Sequence, residues 1–202
     1  MKLLHTADLH LGALLKEVSL GRKADVRLGD FLKNLDKMVE DAIRSGCDFF
    51  VISGDVFHSW RPQNKVFYEF SERVGRLTDK GIHVIVIAGN HDKPKFLGEK
   101  NVMEALVAAH APYFHYRHVV RGQEPLVLNT RDGKKVGFVL LPYVPYKALA
   151  KLGSETPHED FRRSVEKLVS QQLNSRKLSD VDYKVLVAHV LFKGSQLSSE
   201  SR

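Results

Sequence analysis

The sequence predicts an α/β fold: a parallel sheet covered by helices, followed by a half that carries a hairpin. Three observations predict it. In the first half, apolar runs of strand length alternate with amphipathic stretches at helical spacing, the pattern of strand–helix–strand units. In the second half, two apolar runs flank the turn sequence Arg131-Asp132-Gly133-Lys134, a hairpin signal. Four of the apolar runs end in short polar clusters, and in parallel α/β sheets function collects in the loops after the carboxyl ends of strands.

The elements follow in order. Residues 2–7 read as a buried strand. Over 24–45, Leu28, Phe31, Leu32, Leu35, Met38, Val39, Ala42 and Ile43 recur at helical spacing, and Gly46 stops the helix. Phe49-Phe50-Val51-Ile52 is the second strand. A second amphipathic helix spans 64–80 through Val66, Phe67, Phe70, Val74 and Leu77, closed by Gly81. His83-Val84-Ile85-Val86-Ile87 is the third strand, and 101–109 is a short helix. Beyond it lie the hairpin strands 126–128 and 136–141, breaks at Pro142 and Pro145, a helix over 158–173, and a last strand over 183–188. The tail 195–202 is polar.

The chain has 202 residues, 43% of them hydrophobic and 27% charged, a composition that supports one globular domain with a substantial core. A net charge of +7 is compatible with polyanionic partners such as nucleic acid and equally with a solvated lysine-rich surface. The single cysteine, Cys47, excludes an intrachain disulfide, fits a reducing cytoplasm and reads as a small buried hydrophobe. No apolar run approaches the roughly 18 residues of a membrane-spanning helix, and the N-terminus lacks the features of a signal peptide.

The polar clusters carry the chemistry. They are Asp8-Leu9-His10, Gly54-Asp55-Val56-Phe57-His58, Gly89-Asn90-His91-Asp92, and His189. If the four preceding runs are neighbouring strands, carboxylate, imidazole and carboxamide groups converge at one sheet edge. That donor set suits Mn²⁺, Fe or Zn²⁺. Two divalent ions about 3.5–4 Å apart clamp the attacking and leaving oxygens of a phosphoryl displacement, and a pair needs a shared anionic ligand. Asp55 is the candidate, because its strand should be central. Singly, each cluster is more often a turn, a helix cap or a satisfied strand-end histidine. Their conjunction points to a metal-dependent hydrolase.

In this order the motifs resemble the calcineurin-like metallophosphoesterase superfamily over nearly the whole chain. Within it, His5-Thr6-Ala7-Asp8-Leu9-His10-Leu11-Gly12 and Ile52 through Pro62 look most like the SbcD-type nuclease of double-strand-break repair, as does Val187-Ala188-His189 followed by Gly194-Ser195-Gln196-Leu197-Ser198. The resemblance implies a β-sandwich flanked by helices and two divalent ions, Mn²⁺ in the first place. Asp8 and His10 would bind one ion, Asn90 and His189 the other, and Asp55 would bridge. His91 would sit beside the scissile phosphate as the catalytic acid or transition-state stabiliser, with His58 as its support. We further expect Asp92 to fix the His91 tautomer.

The superfamily's last motif, Gly-His-x-His, is absent from the sequence. The expectation is therefore a fold truncated at its C-terminal side. Residues 1–202 would form the N-terminal portion of the nuclease domain, without the remainder and the partner-binding segment, weak or inactive as a nuclease and open along one edge. Arg61, Lys93 and Lys95 are candidate DNA contacts. The resemblance also implies a homodimer through the helices near 66–77 and 102–109, an SMC-like ABC ATPase of the SbcC type as partner of the full-length protein, and a cytoplasmic or nucleoid-associated location with no membrane. The alternatives are a phosphoesterase acting on small phosphodiesters or phosphoproteins, and a non-catalytic DNA-binding or assembly fragment.

Overall fold

The computed structural model describes residues 1–13, 22–93, 99–146 and 156–190. Two sheets pack face to face. The first has four parallel strands in the order β1 (Leu3–Thr6), β2 (Phe49–Ser53), β3 (His83–Ile87), β4 (Phe114–Arg117). The second has three, in the order β5 (Leu126–Asn129), β6 (Lys135–Leu141), β7 (Tyr183–Ala188), with β5 antiparallel and β7 parallel to β6. Helices α1 (Arg22–Ser45), α2 (Asn64–Thr78) and α3 (Met103–Ala109) cover the first sheet, and α4 (Pro157–Leu173) covers the second. The result is a β-sandwich between helical layers, the expected fold class.

The two-residue period of the strands divides the core. Phe50, Ile52, Val84 and Val86 point to the helices, where Leu28, Leu32, Leu35, Val39 and Ala42 of α1 and Val66, Phe70, Val74 and Leu77 of α2 meet them. Phe49, Val51, Ile85 and Ile87 point the other way, into the sandwich, against Val136, Phe138, Leu140 and Val187. Cys47 is buried as expected. Asp36 of α1 joins the two long helices by accepting from Arg73 and Arg76 of α2, each at 2.7 Å. On the outer face of the second sheet, β5 stops short of the end of β6. There the buried Gln172 of α4 closes the backbone of Leu140, donating to its carbonyl at 3.0 Å and accepting from its N–H at 3.1 Å.

Three expectations need correction. The run at 2–7 is an edge strand, paired only with β2 and half-buried, because the second sheet leaves its outer margin uncovered. The strand before His189 belongs to the second sheet, so the four clusters do not line one sheet edge; the last reaches the others across the sandwich. Strand β4 was not expected: His115 and Arg117 occupy its alternate positions beside Ile85 and Ile87, and a run broken by two polar side chains does not look like a buried strand.

Among the described residues, the sandwich is open along β1 and β7. A groove there is lined by Leu3, His5, Val51, Ser53 and the end of β7, and Leu186 is 53% exposed. No helix among the described residues is long and apolar enough to cross a membrane.

Candidate metal centre

The loops after β1 and β2 run side by side beyond the sheet. His10 N–H donates to Asp55 O at 2.9 Å, Leu11 N–H to Val56 O at 2.9 Å, and His58 N–H to Leu11 O at 3.1 Å. Within this ladder Asp8, His10 and Asp55 have φ of 55°, 43° and 53°. Among the described residues they are the only non-glycine residues in the left-handed region. That conformation costs about 1–2 kcal/mol at each residue, and such strain gathers where a fold over-determines a functional site. Two glycines make room. A Cβ on Gly54 would strike the His189 ring, and one on Gly89 would strike the Asp55 carboxylate.

Asp55 lies at the centre, 3% exposed. Its Oδ1 accepts the His91 backbone N–H at 2.9 Å. Its Oδ2 lies 3.7 Å from His10 Nε2 and 3.7 Å from His189 Nε2. His10 Nε2 is also 3.9 Å from Asp8 Oδ1, and His189 Nε2 is 3.3 Å from Asn90 Oδ1. The structure therefore brings Asp8, His10, Asp55, Asn90 and His189 together.

The chemistry of this set fits cations. His189 Nδ1 lies 2.7 Å from the Ser53 carbonyl, which only accepts, so Nδ1 carries the proton and donates it. The neutral ring then turns the Nε2 lone pair toward Asp55 Oδ2 and Asn90 Oδ1. Three acceptors face one another with no donor between them, an arrangement that a cation resolves. Asp8, His10 and Asp55 form a second group, with one ligand atom from each within 4.8 Å of the others. His10 Nδ1 is buried without a partner, so packing orients that ring where a hydrogen bond orients His189.

His91 and His58 stand beside the ligands. Their rings stack at 5.1 Å between centroids, and His91 meets His10 edge to face at 4.9 Å. His91 Nδ1 lies 3.0 Å from the His58 carbonyl, so Nδ1 donates and Nε2 is the nitrogen left for chemistry. This corrects the expected role of Asp92. Its carboxylate does not touch His91; it is fully buried and accepts from Val56 N–H at 2.7 Å and Gly89 N–H at 2.6 Å. It ties the residue after Asp55 to the residue before Asn90. Burial pushes its pKa up to about 6, against the pull of those two N–H groups.

The candidate DNA contacts divide. Arg61 is exposed, pairs with Glu99 at 2.7 Å and lies over the Trp60 ring. Lys93 is half-buried and among the described residues reaches only the Tyr143 carbonyl, at 3.5 Å, and burial lowers its pKa. Lys95 lies outside the described residues, as does the stretch 194–198. Sequence reasoning missed Tyr143, whose ring meets His189 edge to face at 6.2 Å; its place just after β6 was the only signal available. The helices expected to make a dimer spend Val66, Phe70, Val74, Leu77, Met103 and Leu106 on the core, and Tyr68 stays exposed.

A family profile described as calcineurin-like phosphoesterase matches residues 1–201. The D component of the nuclease SbcCD from Escherichia coli K12 is 33% identical over 150 residues, covering 72% of this chain and 33% of that protein. The DNA double-strand break repair protein Mre11 of Methanopyrus kandleri is 27% identical over 148 residues, covering 72% and 31%. The crystal structure of a Pseudomonas putida nuclease, MPE, aligns over 71% of this chain and 54% of its own at a TM-score of 0.39 and 18% identity. The chain thus spans about a third of the length of the curated relatives it matches.

Proposed function

Because the chain belongs to the calcineurin-like phosphoesterase family, we propose that it carries the site of a metal-dependent DNA nuclease acting in double-strand-break repair. The observation that carries this reading is the meeting of acceptors around the buried Asp55, in a chain whose relatives are named as a nuclease component and a break-repair protein. Asp8, His10 and Asp55 hold one divalent ion, and Asp55, Asn90 and His189 the other; Mn²⁺ is the proposed metal. Bound there, such ions supply a hydroxide nucleophile at neutral pH and neutralise charge on the phosphate.

The chain's own residues do the rest. Asp55 would hold both ions, and its Oδ1 accepts the His91 backbone N–H, so the position of His91 is indexed to the shared ligand. With Nδ1 committed to the His58 carbonyl, a protonated His91 presents Nε2–H to the leaving oxygen. The His58 ring backs it. Lys93, Arg61 and Lys95 serve as DNA contacts, Arg61 after exchanging Glu99 for phosphate. We extend the reading to residues 1–202 as the N-terminal part of the nuclease domain, and to a homodimer working in the cytoplasm or nucleoid with an SMC-like ATPase. The relative from Escherichia coli is itself named as one part of an assembly.

The test is calorimetric titration of Mn²⁺ into the 202-residue chain, with linear duplex DNA, cyclic nucleotides and phosphopeptides as substrates. Among the described residues each proposed ion position would have three protein ligands, so we expect binding to require excess Mn²⁺ and cleavage to be slow. Mn²⁺-dependent cutting of DNA supports the reading. Hydrolysis of cyclic nucleotides or phosphopeptides with DNA untouched replaces it with a small-phosphoester or phosphoprotein activity.

A further inference from the structure

The groups of the centre are joined by a chain of contacts. The Tyr143 phenol lies 6.2 Å from the His189 ring. His189 and His10 each approach Asp55 at 3.7 Å, His10 meets His91 at 4.9 Å, and His91 stacks on His58 at 5.1 Å. His10, His58 and His91 thus form a cluster of three imidazoles, and the chain of contacts leads from it through Asp55 and His189 to the phenol. A phosphodiester strand laid along it, with the scissile phosphate over Asp55 and the leaving oxygen toward His91, brings its next nucleotide to Tyr143.

The phenol end has two properties of a built subsite. Its backbone is fixed, with Tyr143 N–H donating to Ala88 O at 2.8 Å and Val144 buried beside it. Pro142 and Pro145 further restrict the segment. A ring on a rigid shelf loses little entropy when something stacks on it. Beside it stands a cation short of an anion. Lys93 Nζ reaches the Tyr143 carbonyl at 3.5 Å and, among the described residues, has no carboxylate partner. Arg61, Arg73, Arg76 and Lys100 each have one. A half-buried ammonium facing only a carbonyl gains from a phosphate more than a solvated lysine does.

We propose that Tyr143 and Lys93 form a nucleotide subsite beside His189, the phenol stacking on a base and the ammonium pairing with the phosphate next to the scissile one. The proposal rests on the nuclease reading and adds to it a preference for an unpaired strand at this end, since a base within a duplex has no free face to offer.

The test is fluorescence anisotropy of a labelled oligothymidylate with the whole chain, over a range of salt concentrations. Tyr143→Ala weakens binding about fivefold to a hundredfold, the loss expected for one stacked base, with the salt slope unchanged. Tyr143→Phe keeps wild-type affinity, since stacking needs the ring and not the hydroxyl. Lys93→Ala flattens the slope of log affinity against log salt by about 0.7, one phosphate on a single strand. Urea midpoints equal to wild type show that the variants fold. Equal affinity of Tyr143→Ala and wild type overturns the subsite alone, as does an equal loss in Tyr143→Phe and Tyr143→Ala. If the wild-type chain hydrolyses a small chromogenic diester yet binds no oligonucleotide, the nuclease reading fails and the subsite fails with it.

Discussion

Strand β2 is bracketed by two buried carboxylates with opposite surroundings. Asp48 precedes it, 7% exposed, and Asp55 follows it, 3% exposed. Asp48 is satisfied. It accepts from Lys2 N–H at 2.7 Å and Arg131 N–H at 3.0 Å, and the chain's terminal ammonium lies 4.0 Å away. Asp55 has one donor, the His91 N–H, and turns its other oxygen to two imidazole nitrogens. Among the described non-glycine residues, the three with positive φ, Asp8, His10 and Asp55, all gather at the Asp55 end of the strand and none at the Asp48 end. On the proposed reading, burial alone therefore does not mark a functional carboxylate. The mark is burial among acceptors, on strained backbone that the rest of the fold holds in place.

Two substitutions break the comparison most sharply. Asp55→Asn abolishes Mn²⁺ binding in calorimetry and leaves the urea midpoint of the metal-free chain unchanged or higher, because it replaces an acceptor in a cluster that lacks donors and Asn tolerates positive φ. Asp48→Ala does the reverse. It orphans two backbone N–H groups at about 1–3 kcal/mol each, so unfolding shifts to lower urea while Mn²⁺ affinity stays within about twofold of wild type. Loss of metal binding in Asp48→Ala at full stability sinks the contrast.

This contrast explains what the sequence could tell. Helices α1 and α2 and strands β2 and β3 were legible because each buries a full apolar stripe, and five ligand candidates were legible because each follows such a run. Strand β4 was not, since His115 and Arg117 interrupt its apolar pattern. Nor was the route of His189. A lone histidine after an apolar run reads alike in either sheet, and only the pairing of β7 with β6 puts it across the sandwich. The partners of Asp92 were hidden for a third reason: they are backbone N–H groups, which every residue but proline carries.

Asp92 lies between the two extremes. Like Asp48 it is buried and satisfied by two N–H groups, and like Asp55 it stands among the candidate ligands. Asp92→Asn keeps its volume but turns one amide NH₂ against a backbone N–H. The tie between the Asp55 and Asn90 loops then loosens. Losing an outer partner of a metal site costs about 10- to 100-fold in affinity, and Mn²⁺ calorimetry should fall in that range, with a smaller drop in urea stability. A variant that loses stability alone makes Asp92 a second Asp48.

The smallest effect tests the Asp48 end without touching the ligands. His115 Nε2 lies 3.2 Å from His83 Nδ1. Burial, the His83 charge and the Arg117 charge push the His115 pKa down to about 4. Burial also lowers that of His83, against the pull of Asp48, and Tyr113 packs on the His83 ring. In the unfolded chain a histidine titrates near pH 6.5. Stability from keeping His115 neutral is therefore complete above about pH 6.5 and is lost as the pH falls through about 4, since the unfolded chain takes up the proton first. The loss is roughly 1–2 kcal/mol after allowance for solvent at the strand end. Urea denaturation in chelator at pH 7 and pH 4.5 should show it in the wild-type chain and show less of it in His115→Phe. An identical loss in both proteins takes the acid sensitivity away from His115.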